Sequence, residues 1–243
     1  MQRPAGQSGG MAMLLMPGFM TDADLWSEVL PHWQAFLPVL HADPSQDDSI
    51  AGMACRALAA APDRFVAVGF SMGGYVAREV ARQAPGRIEA LVLIATSAQG
   101  DSPDRAAGKA AAAARVGQGV RIGRAAIARS LHPAREDDPA LIARIQAMGE
   151  RLGAETFRRQ LLLDRPGDAD RLDGIDVPTL VVAGRQDRLR SLAEAEELRD
   201  GIPGATLRIV EDTGHMIPFE APDTLGPLVA EWLSLVISRR MTR

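Results

Sequence analysis

Apolar positions along the chain fall into two rhythms. Short, mostly apolar runs at 12–16, 35–40, 65–68, 90–95, 178–183 and 205–210 read as strands, several of them bounded by turn residues such as Pro17-Gly18, Pro62-Asp63 and Pro85-Gly86. Between them apolar residues return every three or four positions, the period of a helix with one buried face. Thr21-Asp22 offers capping oxygens ahead of Leu25, Trp26, Val29 and Leu30, and Ser49 caps a stretch running to about 61. Further helices are predicted over 75–84, 191–200 and 222–238. Strands that alternate with helices predict an α/β chain, a mostly parallel sheet with helices on both faces.

The alternation stops once. From 99 to 171 no strand-like run occurs, and an Ala- and Arg-rich segment broken at Gly117, Gly119, Pro133 and Pro139 predicts several short helices. Helices inserted between two halves of a parallel sheet predict a cap over the sheet's C-terminal edge, where open α/β sheets bind ligands. The expected organisation is therefore a leader at 1–10, a core of 11–98 and 172–243, and a helical cap of 99–171. The cap holds 13 Lys/Arg against 10 Asp/Glu, a net of +3, whereas the remainder holds 14 against 21, a net of −7. This favours an anionic substrate only weakly, because arginines on helix faces are commonly solvated.

Composition narrows the class. A chain of 243 residues with 47% hydrophobic and 24% charged residues can bury a full core. Its net charge of −4 argues against a nucleic-acid partner. A lone cysteine, Cys55, admits no internal disulfide and suits a reducing compartment, and its Ala-rich helical setting predicts an inert buried thiol. No apolar run reaches the roughly 18 residues of a membrane span, and the polar, Gly-rich start predicts a disordered leader in place of a signal peptide. The expectation is a cytoplasmic protein with no membrane contact.

The candidate chemistry centres on Gly69-Phe70-Ser71-Met72-Gly73-Gly74, which joins a strand to a helix. That context is a nucleophile elbow: a serine at a strained tip, with glycines where side chains would collide. A serine hydroxyl needs a base, and the base needs an orienting acid. Of the four histidines, His32 lies in a helix-to-strand connection, His132 in the cap, and His41 at a strand end that borders the site without marking it as a base. His215, in Thr213-Gly214-His215 after the last strand, opens on the same sheet edge as Ser71. Asp187, just past the strand at 178–183, is the expected acid; Asp212 shares the tight histidine loop and is expected to stabilise it or cap a helix. Two backbone N–H groups, of Phe19 in the Pro17-Gly18-Phe19-Met20 loop and of Met72, are the expected donors to an oxyanion. The chain order Ser71, Asp187, His215 is that of one serine-triad fold and not of two others.

Taken together, Leu14-Leu15-Met16-Pro17-Gly18-Phe19, the elbow, Ala183-Gly184-Arg185-Gln186-Asp187 and Thr213-Gly214-His215 make the chain resemble the α/β-hydrolase superfamily over nearly its whole length from Met11. The resemblance implies an α/β-hydrolase fold with an inserted helical cap. Two departures stand out. Pro17-Gly18 replaces the His-Gly of many members, and the first strand resembles the family's third, so the resemblance implies a sheet without the initial hairpin.

Ser71 at the elbow tip disfavours dehalogenase and epoxide-opening chemistry, which resemble the pattern with an aspartate there. The expected activity is hydrolysis of a carboxylic ester, thioester or lactone through an acyl-serine, with no cofactor and no metal. The partner is a small-molecule substrate, and Met16, Met20, Met72 and Met216 around the site loops suggest an apolar acyl part, although they serve equally as core filler. Three other readings stay open: a cofactor-free lyase or carbon–carbon bond hydrolase using the same residues on an anionic keto-acid, a perhydrolase, and a ligand receptor. Arginines pointing into the cleft would favour the keto-acid, and the candidates are Arg121, Arg124, Arg158 and Arg159.

Overall fold

The computed structural model describes residues 10–116 and 122–241. Positions 1–9 of the expected leader, the break points Gly117 and Gly119, and the cleft candidate Arg121 lie outside the described residues. Six strands, β1 (Ala12–Met16), β2 (Val39–His41), β3 (Phe65–Phe70), β4 (Ile88–Ile94), β5 (Thr179–Gly184) and β6 (Thr206–Val210), form one sheet in the order β2-β1-β3-β4-β5-β6. Every pairing is parallel, with Leu15 beside Val68 and Val68 beside Val92.

The sheet is buried on both faces because successive side chains point to opposite sides. Met13, Leu15, Val66 and Val68 enter one apolar cluster, with Trp26 and Trp33. Leu14, Met16, Phe65 and Ala67 enter the other. The first cluster is covered by α1 (Leu30–Gln34) and α9 (Pro222–Met241), and the second by α2 (Ile50–Ala60), α3 (Met72–Gln83) and α7 (Leu192–Gly201). Between β4 and β5 the described residues form α4 (Pro103–Ala113), α5 (Arg124–Ser130) and α6 (Pro139–Leu161), the last interrupted at Gly153 with φ 79°. A short α8 (Ile217–Glu220) precedes α9.

Local expectations failed in three places. The helix expected around residues 25–30 is a 3-10 turn, Ala23–Trp26, followed by the separate five-residue α1, because Pro31 suits the first turn of a new helix. The second strand is only three residues long, since Pro38 cannot donate to a ladder and α1 extends to Gln34. Cys55 is exposed, because α2 buries the face that carries Met53, Ala54 and Ala57.

One buried ion cluster fixes the helix that carries the elbow. Arg78 of α3 is fully buried, and its Nε and Nη2 each donate at 2.8 Å to the two oxygens of Asp168. Nη2 also donates to the Ser97 carbonyl at 2.8 Å, and Arg82 joins Asp168. The chain returning from the helical insertion is thereby tied to α3 and to the end of β4.

Candidate active site

β3 lies between β1 and β4, so its C-terminal end opens at the middle of the sheet edge. There Ser71 adopts φ 51° and ψ −111°, a region that costs a residue with a Cβ on the order of 1–3 kcal/mol. Its backbone is held on three sides. The Ser71 N–H donates to the Ile94 carbonyl at 2.9 Å, and its own carbonyl accepts from Thr96 Oγ1 at 2.7 Å and from the Gly74 N–H at 3.0 Å. The close approach that results explains two of the glycines. A Cβ on Gly73 would overlap the Met16 carbonyl, and one on Gly69 would overlap the carbonyl of Gly73.

His215 reaches the same edge from the loop after β6. Its Nε2 lies 3.0 Å from Ser71 Oγ, and its Nδ1 lies 2.7 Å from Asp187 Oδ2. Phe70 stands beside the imidazole with ring centroids 5.1 Å apart. The backbone of the loop is pinned as well. The N–H groups of His215 and Met216 both donate to the Ser130 carbonyl at the end of α5, at 2.8 and 3.2 Å. Gly214 N–H donates to Glu220 Oε2 at 3.0 Å, and Thr213 N–H to Gln186 Oε1 at 3.0 Å. Glu220 also accepts from the His132 N–H, and burial raises its carboxyl above the ordinary value against those two donors.

Asp187 sits in the turn after β5 with its side chain nearly fully buried. Its Oδ1 accepts from the N–H groups of Leu189 and Arg190 at 2.7 and 2.9 Å, which leaves Oδ2 for the imidazole. Asp212 is exposed at φ 51°, and among the described residues its carboxylate makes no hydrogen bond, so it neither caps a helix nor braces its loop. The other histidines stand apart. His132 Nδ1 accepts from the Ala134 N–H at 3.1 Å, His32 packs under Gly226 of α9, and His41 ends the edge strand β2.

The loop after β1 is folded tightly. Gly18 N–H donates to Thr21 Oγ1 at 2.7 Å, and Met20 N–H donates to Oε1 of the fully buried Gln160 at 2.8 Å. Gln160 in turn donates to the Pro44 carbonyl at 3.1 Å. Among the described residues the N–H groups of Phe19 and Met72 have no acceptor.

A cavity of about 400 Å³ opens over Ser71 and His215. One part of its wall is apolar, with Phe19, Ile122, Ile127, Ile145, Leu161 and Met216. Another part is cationic, with Arg105, Lys109, Arg129, Arg165 and Arg190. The three described arginines among those proposed from sequence are elsewhere: Arg124 pairs with Asp137 at 3.1 Å on the surface, Arg159 binds the Ser45 carbonyl, and Arg158 is exposed off the cavity. Of the four methionines, Met216 lines the cavity, whereas Met16, Met20 and Met72 are buried away from it. Among the described residues no helix is long and apolar enough to cross a membrane.

Sequence reasoning placed Ser71, His215, Asp187, Phe19 and Met72 at one edge, and the structure brings them together there. It missed Gln160, Glu220, Arg165 and Lys109. None of these lies in a motif, and no local pattern signals a side chain that acts across more than fifty residues of chain or from a helix of a different layer.

Comparison with known proteins bears on this arrangement. A model of the Alpha/beta hydrolase family matches residues 13–226. A pimeloyl-[acyl-carrier protein] methyl ester esterase from Aromatoleum aromaticum is 28% identical over 245 residues, covering 90% of this chain and 96% of that protein. A thermophilic esterase from Thermogutta terrifontis superposes with a TM-score of 0.83 at 28% identity, over 93% of this chain and 90% of that one. An enol-lactonase from Burkholderia xenovorans shares the fold, with a TM-score of 0.80 at 22% identity over 96% of this chain and 94% of its own.

Proposed function

The chain belongs to the alpha/beta hydrolase family, and we propose that it is a serine hydrolase that cleaves a carboxylic ester, thioester or lactone through an acyl-serine on Ser71. The observation that carries this reading is the relay from Ser71 Oγ to His215 Nε2 at 3.0 Å and from His215 Nδ1 to Asp187 at 2.7 Å. The similarity to two esterases along nearly the whole chain supports it.

In this mechanism Asp187 accepts a hydrogen bond from Nδ1–H, which fixes the tautomer and leaves Nε2 as a base. Ser71 Oγ attacks the substrate carbonyl carbon while Nε2 takes its proton. The carbonyl π electrons move to oxygen, and the N–H groups of Phe19 and Met72 receive the oxyanion, Met72 at the positive end of α3. Collapse expels the alcohol or thiol, which takes the proton from Nε2. Water then repeats the attack on the acyl-serine, passing a proton to Nε2, and collapse returns it to Ser71 Oγ with release of the acid. The helices of 99–171 act in this reading as a cap that shapes the substrate cavity. The substrate is a small molecule with an apolar portion against Ile127, Ile145 and Leu161.

The cationic part of the wall favours one second reading, carbon–carbon bond hydrolysis of an anionic keto-acid by the same residues. Hydrolysis of p-nitrophenyl acetate, butyrate and octanoate by the wild type and by Ser71→Ala separates the two. Turnover of these neutral esters that disappears in the variant supports the esterase. A folded wild type inert to all three esters and to esters that carry a free carboxylate refutes it and turns attention to the keto-acid.

A further inference from the structure

The cationic wall of the cavity is not balanced by the carboxylates around it. Asp101 pairs with Lys109, lies 3.4 Å from Arg165 Nε and lies 3.8 Å from Arg105 Nε. One negative charge thus faces three positive ones. Arg190 has its own partner, Glu194, at 3.2 Å. Arg165 is the exceptional member, with its side chain only 10% exposed. Its buried Nε makes no hydrogen bond, and among the described residues its guanidinium has no hydrogen-bond acceptor at all. A guanidinium offers five N–H donors in a planar fork, and here Nε is out of water without a partner, which is costly. Burial accordingly pulls both Arg165 and Lys109 below their ordinary values.

The backbone that carries this side chain is pinned. Asp101 N–H donates to the Arg165 carbonyl at 3.2 Å, and Asp168 N–H donates to the Ala98 carbonyl at 2.9 Å, so the two chain segments are zipped together beneath the cavity. The same cavity contains Ser71 and His215, with apolar side chains lining the space it encloses. A cavity-lining guanidinium with a buried, unpartnered Nε, an excess of positive charge and an apolar passage fit one kind of molecule.

We propose that Arg165, with Lys109 and Arg105, binds a free carboxylate of the substrate, so that the enzyme acts on half-esters of dicarboxylic acids. The proposal rests on the reading of Ser71 as nucleophile. The carboxylate accepts in-plane hydrogen bonds from the Arg165 guanidinium and supplies the negative charge that Asp101 alone does not. The methylene chain lies against the apolar wall, and the ester carbonyl is carried to Ser71 Oγ.

The test compares monoethyl esters of glutarate, adipate, pimelate and suberate with neutral ethyl esters of matched chain length. The readout is the ratio of kcat/KM for each anionic ester to that of its neutral counterpart. Wild type is expected to favour at least one half-ester by about 10- to 100-fold, the range of a charge-assisted contact in a desolvated site. Arg165→Gln removes that ratio and Arg165→Lys restores part of it, while Arg124→Gln, on the surface away from the cavity, leaves it unchanged. If Arg165→Gln does not fold, Lys109→Met makes the same comparison. A wild-type ratio of one or less, or a ratio indifferent to Arg165 and Lys109, overturns the proposal. If no ester of either kind is hydrolysed, the nucleophile reading has failed, and calorimetry with free adipate then tests the subsite alone. Binding that is lost in Arg165→Gln upholds it, and absence of binding to wild type overturns it.

Discussion

Asp187 Oδ2 and His215 Nδ1 are 2.7 Å apart across 28 residues of chain, and the other Asp187 oxygen is already occupied by two backbone N–H groups. The carboxylate therefore has one orientation available to it. That orientation is set by the turn after β5, which Gln186 also ties to the histidine loop through Thr213.

Replacing Asp187 by Asn keeps an oxygen for the two backbone donors but presents an amide to the imidazole, which disfavours the tautomer with Nε2 free. The expected loss in kcat is about 10⁴-fold, the cost of the same change in the serine-protease template. Asp212→Asn, at an exposed position without a side-chain hydrogen bond among the described residues, is expected to leave kcat unchanged. Steady-state kinetics on both folded variants check this, and equal losses would reassign the acid.

Gly73→Ala places a methyl group against the Met16 carbonyl, where backbone on both sides cannot yield easily. The expected cost is about 1–3 kcal/mol or more, read as a lower denaturation midpoint, together with a loss of activity as the elbow shifts. A variant with wild-type stability would show that the elbow is looser than its contacts indicate.

Gln160 holds the Met20 N–H and so the loop that presents the Phe19 N–H. Gln160→Leu strands a buried donor, at an expected cost of about 1–3 kcal/mol in stability. It is also expected to lower kcat more than it raises KM, because the N–H proposed to receive the oxyanion moves while the cavity's apolar wall stays. Gln160→Glu keeps an acceptor for Met20 and should recover part of the kcat. Loss of stability with unchanged kcat would make Gln160 purely structural.

Legibility in the sequence followed physical range. Elements fixed by local chemistry were readable: β1 and β3 by apolar runs, α2 by its Ser49 cap, and the elbow by its glycines. Asp187 and His215 were readable because each follows a strand whose end lies on the same sheet edge. The edge strand β2 and the broken first helix were misjudged, since Pro31 and Pro38 act through single backbone positions that periodicity averages away. The cavity's cations were not readable. Which face of α4 carries Lys109 inward, and that Arg165 emerges beside Asp101, depend on how helices without a shared motif pack together.

Glu220 gives a signed pH dependence. Burial raises its folded-state value, so it holds its proton to higher pH in the folded chain than in the unfolded one. Its contribution to stability is then fully present below the ordinary glutamate value and declines as pH rises through the folded one. Glu220→Gln cannot ionise and is free of that decline. The difference in Tm, wild type minus Glu220→Gln, is expected to fall as pH is raised from about 4 to 8. A difference that grows with pH would mean that the donors of His132 and Gly214 outweigh burial.

The most direct test of the central claim is rapid-quench mass spectrometry with p-nitrophenyl butyrate. An acyl-enzyme is expected to form with a burst of p-nitrophenolate, its butyryl group on the peptide that contains Ser71. Neither burst nor adduct should form with Ser71→Ala. Hydrolysis that persists at the wild-type rate in Ser71→Ala, or an acyl group found on any other residue, would contradict the account.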